Sequence, residues 1–93
     1  MNKPPPEIDG AKVLYWAWSG EVPFGWVGEG ENPTAVAIFG LEIARYRDSS
    51  VIYRFSCDKN WETEQDADYS SVEEAIKLLP KQYQEVEALW HKY

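Results

Sequence analysis

The stretch Tyr53-Arg54-Phe55-Ser56-Cys57-Asp58-Lys59-Asn60-Trp61, followed by acidic residues and then by Ser71-Val72-Glu73-Glu74-Ala75, decides the fold. Val51 to Cys57 alternates large apolar with polar residues, as a half-buried strand does. Asp58-Lys59-Asn60 has side chains that close turns, and a further strand is expected from Trp61 to about Asp66. Ser70 and Ser71 each stand three residues before a glutamate, offering two alternative capping boxes for a helix from Ser71 to about Leu79. Val72, Ala75, Ile76 and Leu79 give that helix its apolar stripe. Pro80 lacks the N–H that the next helical bond needs, so the helix should stop or kink there.

Upstream, Asp48-Ser49-Ser50 has turn chemistry, Leu41 to Arg47 reads as the hairpin partner of Val51 to Cys57, and Thr34 to Phe39 as a strand separated from it by a bend or bulge at Gly40. In this register Ala44, Tyr46, Tyr53, Phe55, Cys57, Trp61 and Thr63 share an apolar face. Arg45, Arg47, Arg54, Glu62 and Glu64 fall on the opposite, solvated face, where cross-strand pairing would contribute a few tenths of a kcal/mol, of order ~0.3, per pair. Ala11 to Trp18 is apolar on both sides, with Val13, Tyr15 and Ala17 on one and Leu14, Trp16 and Trp18 on the other. Ser19 to Pro33 holds four glycines and two prolines and reads as the longest loop. Residues 1–9, with Pro4-Pro5-Pro6, read as an extended arm, and residues 10–93 as a single domain. After Pro80 a short turn and a final strand is preferred, although Tyr83, Val86 and Trp90 also suit a helix.

These elements specify an α+β fold: a four- to five-stranded, mainly antiparallel sheet with one main helix packed on one face. Composition narrows the function. Sixteen acids against nine bases give a net charge of −7, and Asp58 to Glu74 alone holds seven acids and one lysine. Such a chain repels phosphate backbones and anionic membranes, so nucleic-acid and membrane binding are not expected, whereas a basic protein partner is. One cysteine forms no intrachain disulfide and suits a reducing compartment, and no apolar run is long enough to span a membrane, so a soluble cytoplasmic protein is expected.

No motif supplies catalytic, cofactor or metal residues. Cys57 and His91 are the sole thiol and imidazole, but Cys57 falls on the apolar face and reads as a packing group. Asp58-x-Asn60-x-Glu62-x-Glu64 starts like a calcium loop, yet Thr63 stands where the glycine belongs and Tyr69 where the bidentate glutamate belongs. Gly28-x-Gly30 follows no strand-to-helix phosphate motif.

Partner binding has more support. Glu21, Phe24, Trp26, Glu29 and Glu31 combine aromatic anchors with acids in the long loop, and Glu62, Glu64, Asp66 and Asp68 form a second acidic cluster. Phe24 and Trp26 suit equally a lid folded back on the sheet.

The pattern Tyr53-x-Phe55-x-Cys57-Asp58-x-x-Trp61, Ser71-x-Glu73-Glu74-Ala75 and the late Trp90, with Asp9-Gly10 opening the fold and Tyr15-Trp16 in the first strand, resembles a family of small uncharacterised bacterial proteins. This resemblance implies an α+β fold and no particular activity. In size, acidity and single-domain build the chain is also similar, as a class, to the immunity proteins that neutralise bacterial toxins. The expected function is therefore a non-enzymatic, cofactor-free inhibitor or regulator of a basic protein, with an immunity-type toxin inhibitor favoured. A homo-oligomeric structural or small-ligand-binding domain, using Leu14, Trp16 and Trp18, is the alternative.

Overall fold

The computed structural model describes residues 2–28 and 35–93. Its chain order is β1 (Glu7–Ile8), β2 (Ala11–Trp18), β3 (Gly25–Val27), β4 (Val36–Ile38), β5 (Gly40–Tyr46), β6 (Ile52–Cys57), β7 (Thr63–Tyr69), α1 (Val72–Lys77), a 3₁₀ turn (Lys81–Tyr83) and β8 (His91–Lys92). The expected α+β class holds: β2, β5, β6 and β7 lie side by side, all antiparallel, and α1 packs on one face across β6 and β7.

The main sheet has six strands because the two-residue strands β1 and β8 share the outer edge of β2. Strand pairing thus reaches back into the segment read as an extended arm. Asp9 and Gly10 both have positive φ, 49° and 84°, the backbone that a two-residue hairpin turn of type I′ requires. The arm itself is docked: Val13 N donates to Pro6 O at 2.9 Å, and Tyr93 Oη donates to the carbonyl of buried Pro4 at 2.7 Å.

A β-bulge interrupts β2. Val13 lies opposite Ala44 and Tyr15 opposite Ile43, so Leu14 is extra and the alternation of β2 reverses beyond it. Ala11, Val13, Trp16 and Trp18 therefore share one face, while Tyr15 and Ala17 share the other; Leu14 packs with this second group. The expected grouping of Leu14 with Trp16 and Trp18 is corrected accordingly.

The second face, here the helix face, is covered. Ala75 and Val72 of α1 meet Ile43 and Ile52, and Phe24, Ile38 and Tyr83 close on Ala17 and Leu41. Inside the stretch expected to be loop, β3 pairs with β4 as a separate two-stranded sheet on this side. Val86, Ala88 and Trp90 pack inward on the same layer. Arg54 is buried there, at 1% exposure, and does not belong to a solvated row of charges. The helix face of β6 is covered, so its polar position had to find partners inside: Nη1 donates to Tyr69 Oη at 2.6 Å, and the guanidinium lies 5.3 Å from the Tyr83 ring centroid.

The helix uses the second capping box. Ser71 Oγ accepts from Glu74 N at 3.0 Å, and the Glu74 carboxylate reaches back to Ser70 Oγ at 2.6 Å. Trp61, expected to open β7, instead stands before it with φ 62° in the turn anchored by Asp58 Oδ1, which accepts from Asn60 N and Glu62 N.

Gly25 lies flush against the 3₁₀ turn, so that a Cβ there would meet Gln82 O at 1.6 Å. Gly25→Ala is expected to lower the unfolding free energy by about 3 kcal/mol, the upper end of overpacking costs, in urea denaturation. A loss below about 1 kcal/mol would show that β3 is not fixed on that turn.

Candidate functional site

The face opposite the helix, here the open face, carries no helix or strand layer among the described residues. Register fixes its composition. Residues paired across strands share a face, so one rung runs His91, Trp16, Glu42, Phe55, Asp66 across five strands. The next rungs are Val13, Ala44, Tyr53, Asp68 and Trp18, Gly40, Cys57, Thr63. Large rings shield the smaller residues themselves. Trp61 lies on Gly40, where a Cβ would come within 2.4 Å of Cζ3. It packs edge-on to Trp16 at 6.3 Å and tilted on Trp18 at 5.5 Å, while Tyr53 meets Tyr46 and Phe55. Trp18, Phe39, Tyr46, Tyr53 and Trp61 stay partly exposed.

Glu42 is the anomaly of this face. It is 1% exposed in the middle of the aromatic rung. Its Oε2 accepts a hydrogen bond from Cys57 Sγ at 3.4 Å, and its Oε1 has no partner. Burial raises its pKa to about 7; the Cys57 hydrogen bond opposes this weakly and the charge of Asp9 adds to it. The Cys57 thiol is driven far up, first by its own burial and then by the Glu42 charge, so it stays protonated and serves as a donor. His91 stacks on Trp16 at 4.6 Å, three strand spacings from β6, about 14 Å, so it and Cys57 do not form a nucleophile pair.

The residues expected to meet a partner are distributed as follows. Asp66 and Asp68 are exposed on the open face, beside Phe55 and Tyr53. Glu64 is exposed at the irregularity between the Ser56 and Cys57 pairings, and Glu62 is exposed in the preceding turn. Glu21 is exposed, and Trp26 is 56% exposed with its carbonyl accepting from Gln82 Nε2. Phe24 is fully buried as a lid on the helix face. Glu29 and Glu31 lie outside the described residues. The structure thus joins the acidic strand to the aromatic face and places Phe24 in the opposite layer. Glu42 was missed, although it has the same parity as Ala44 and Tyr46 on the apolar side of its strand.

Comparisons with protein-family profiles, with curated proteins and with solved structures found no match.

The raised pKa makes a signed prediction. Below pH 4.5 Glu42 is protonated folded or unfolded; between 4.5 and about 7 the unfolded chain releases the proton while the folded one keeps it, so stability falls as pH rises, and above 7 the slope vanishes. Glu42 alone would remove at most about 3 kcal/mol across this window. Glu42→Gln, compared with the parent by urea denaturation at pH 5 and pH 8, is expected to gain relative stability at pH 8. Parallel profiles for the two proteins would refute the assignment.

Proposed function

We propose that the protein is a non-enzymatic binding protein that blocks or regulates a basic protein partner, with an immunity-type inhibitor of a bacterial toxin as the favoured form. The observation that carries this reading is the open face: the described helix and the second sheet lie on the other side, while here Asp66 and Asp68 are exposed on the same face as the partly exposed rings of Tyr53, Tyr46, Trp18 and Trp61, with Tyr53 directly across from Asp68. Aromatic faces attract ammonium and guanidinium groups, and carboxylates beside them add direct pairing and long-range steering. A basic surface laid on β6, β7 and Trp61 would be occluded from its own substrate. The buried, unpaired Cys57 suits a reducing compartment, and cytoplasmic residence is part of this proposal. No helix among the described residues is long and apolar enough to cross a membrane.

A second reading, self-association through Trp18, Phe39 and Trp61, draws on the same partly exposed cluster. It predicts a solution mass that rises with concentration.

For the first reading, tagged protein is expected to capture a basic partner at low salt and to lose it at high salt. Asp66→Lys with Asp68→Lys should weaken that association by about tenfold or more, chiefly through its on-rate, whereas Glu21→Lys should not. Capture that is indifferent to salt, or to the Asp66 and Asp68 charges, would overturn it.

A further inference from the structure

The acidic surface is not continuous. At the end of the helix face beyond the reach of α1, β2, β5 and β8 bring three cations to one depression. Lys12 and Arg45 are direct cross-strand partners, and Lys92 is the partner of Tyr15 on the same side of β2. A cavity of about 350 Å³ is lined by Lys12, Leu14, Tyr15, Arg45, Lys92 and Tyr93, with Val13 completing it, and none of these residues is an aspartate or glutamate. An adjoining cavity of about 510 Å³ continues past Lys12 and Arg45 to Arg47, where Glu7 and Asp48 also contribute. Glu7 faces Lys12 from β1 and offsets part of its charge.

Like charges placed directly opposite on a sheet destabilise it. In a chain of net charge −7, three of the nine bases meet around one depression to which no aspartate or glutamate side chain contributes. The local fold is built to do so. The bulge at Leu14 changes the side-chain alternation between Lys12 and Tyr15, so both face this cavity, and β8 adds Lys92 from the far end of the chain. Tyr15 and Tyr93 border the space with ring surface and phenolic groups.

We propose that this depression is a binding site for a compact phosphate-bearing small molecule, with Arg45, Lys92 and Lys12 as its anchors. Three cations match a group with several anionic oxygens, and Arg45 offers the fork geometry that holds two of them. The overall negative charge repels extended polyanions, which selects a small ligand over a nucleic acid. The site lies on the opposite side of the sheet from Asp66 and Asp68 and does not depend on the partner proposed above.

The test is an amide-resolved NMR titration of the full chain with sodium pyrophosphate, against sodium chloride at matched ionic strength. Saturable shifts are expected in the Leu14 to Trp16 and Lys92 to Tyr93 amides, with a dissociation constant of the order of a millimolar and weaker binding of inorganic phosphate. Arg45→Gln and Lys92→Gln, both at exposed positions, should each weaken binding about tenfold, and Lys59→Gln in the β6–β7 turn should leave it unchanged. Shifts reproduced by sodium chloride, or retained in the Arg45→Gln/Lys92→Gln double variant, would overturn the site. Tighter binding of citrate than of pyrophosphate would overturn the phosphate assignment.

Discussion

The single extra residue at Leu14 sets the character of both faces of the sheet. Side-chain direction in a strand has a period of two, so one inserted residue reverses every position that follows. Had β2 continued unbroken from Val13, Tyr15 and Ala17 would have stayed on the open face and Trp16 and Trp18 would have entered the helix face. The helix face has no room for two indoles beside Phe24, Ile38 and Tyr83, all fully buried there; the open face would have lost the rings that pack with Trp61 and flank Glu42. The bulge reconciles a small-residue requirement under the two-stranded sheet, met by Ala17, with an aromatic one on the other side.

The two faces treat buried charge differently. Arg54 is met by one hydroxyl and two rings: Tyr69 accepts from Nη1, the Tyr69 and Tyr83 rings offer their electron-rich surfaces, and Nε alone is buried without a hydrogen-bond partner. A guanidinium tolerates such surroundings because its charge is delocalised and weakly hydrated. Glu42 has only a thiol donor and one unpartnered oxygen, so burial itself pushes it toward the neutral form near physiological pH. Arg54 therefore reads as part of the packing, whereas the poorly satisfied Glu42 lies under the surface that a cationic partner would cover. A charge that approaches Glu42 would find it poised between its two states.

Much of this fold was legible in the sequence because the signals were local. Alternation identified the β5–β6–β7 meander, and the two overlapping capping boxes at Ser70 and Ser71 marked the helix start to within a residue, the structure using Ser71 with Glu74. What stayed hidden depended on tertiary context or on one residue. A bulge within an unbroken apolar run such as Ala11 to Trp18 leaves no compositional trace. Asp9-Gly10 is a strong hairpin signal, but the Pro4-Pro5-Pro6 segment before it reads as an extended arm, and only the docking of Pro4 against Tyr93 shows that it is held. The two residues of β8 are too few for periodicity to reveal. Alternation did place Arg54 opposite in sense to Phe55; that the helix face of β6 is covered was not a property of β6 alone. For the candidate site, Asp66 and Asp68 were found by charge, while the aromatic surface that gives them a context needed the register.

The acids of β7 invite a simpler explanation, that an edge strand carries charge to prevent pairing with other chains. That need would be met by charge at any accessible position, and Glu62 and Glu64 at the head of the strand already provide it. The rest of the strand divides by face: Gln65 and Tyr69 are drawn into the helix face by Tyr83 and Arg54, and Asp66 and Asp68 alternate with them on the open one. There each sits directly across from an aromatic residue, Phe55 or Tyr53, and neither makes a cross-strand ion pair. A strand selected for stability alone would favour threonine or lysine opposite those rings. Exposed carboxylates on the same face as partly exposed rings are together complementary to a cation that reaches both, which is why the arrangement argues for a basic partner more strongly than the net charge does.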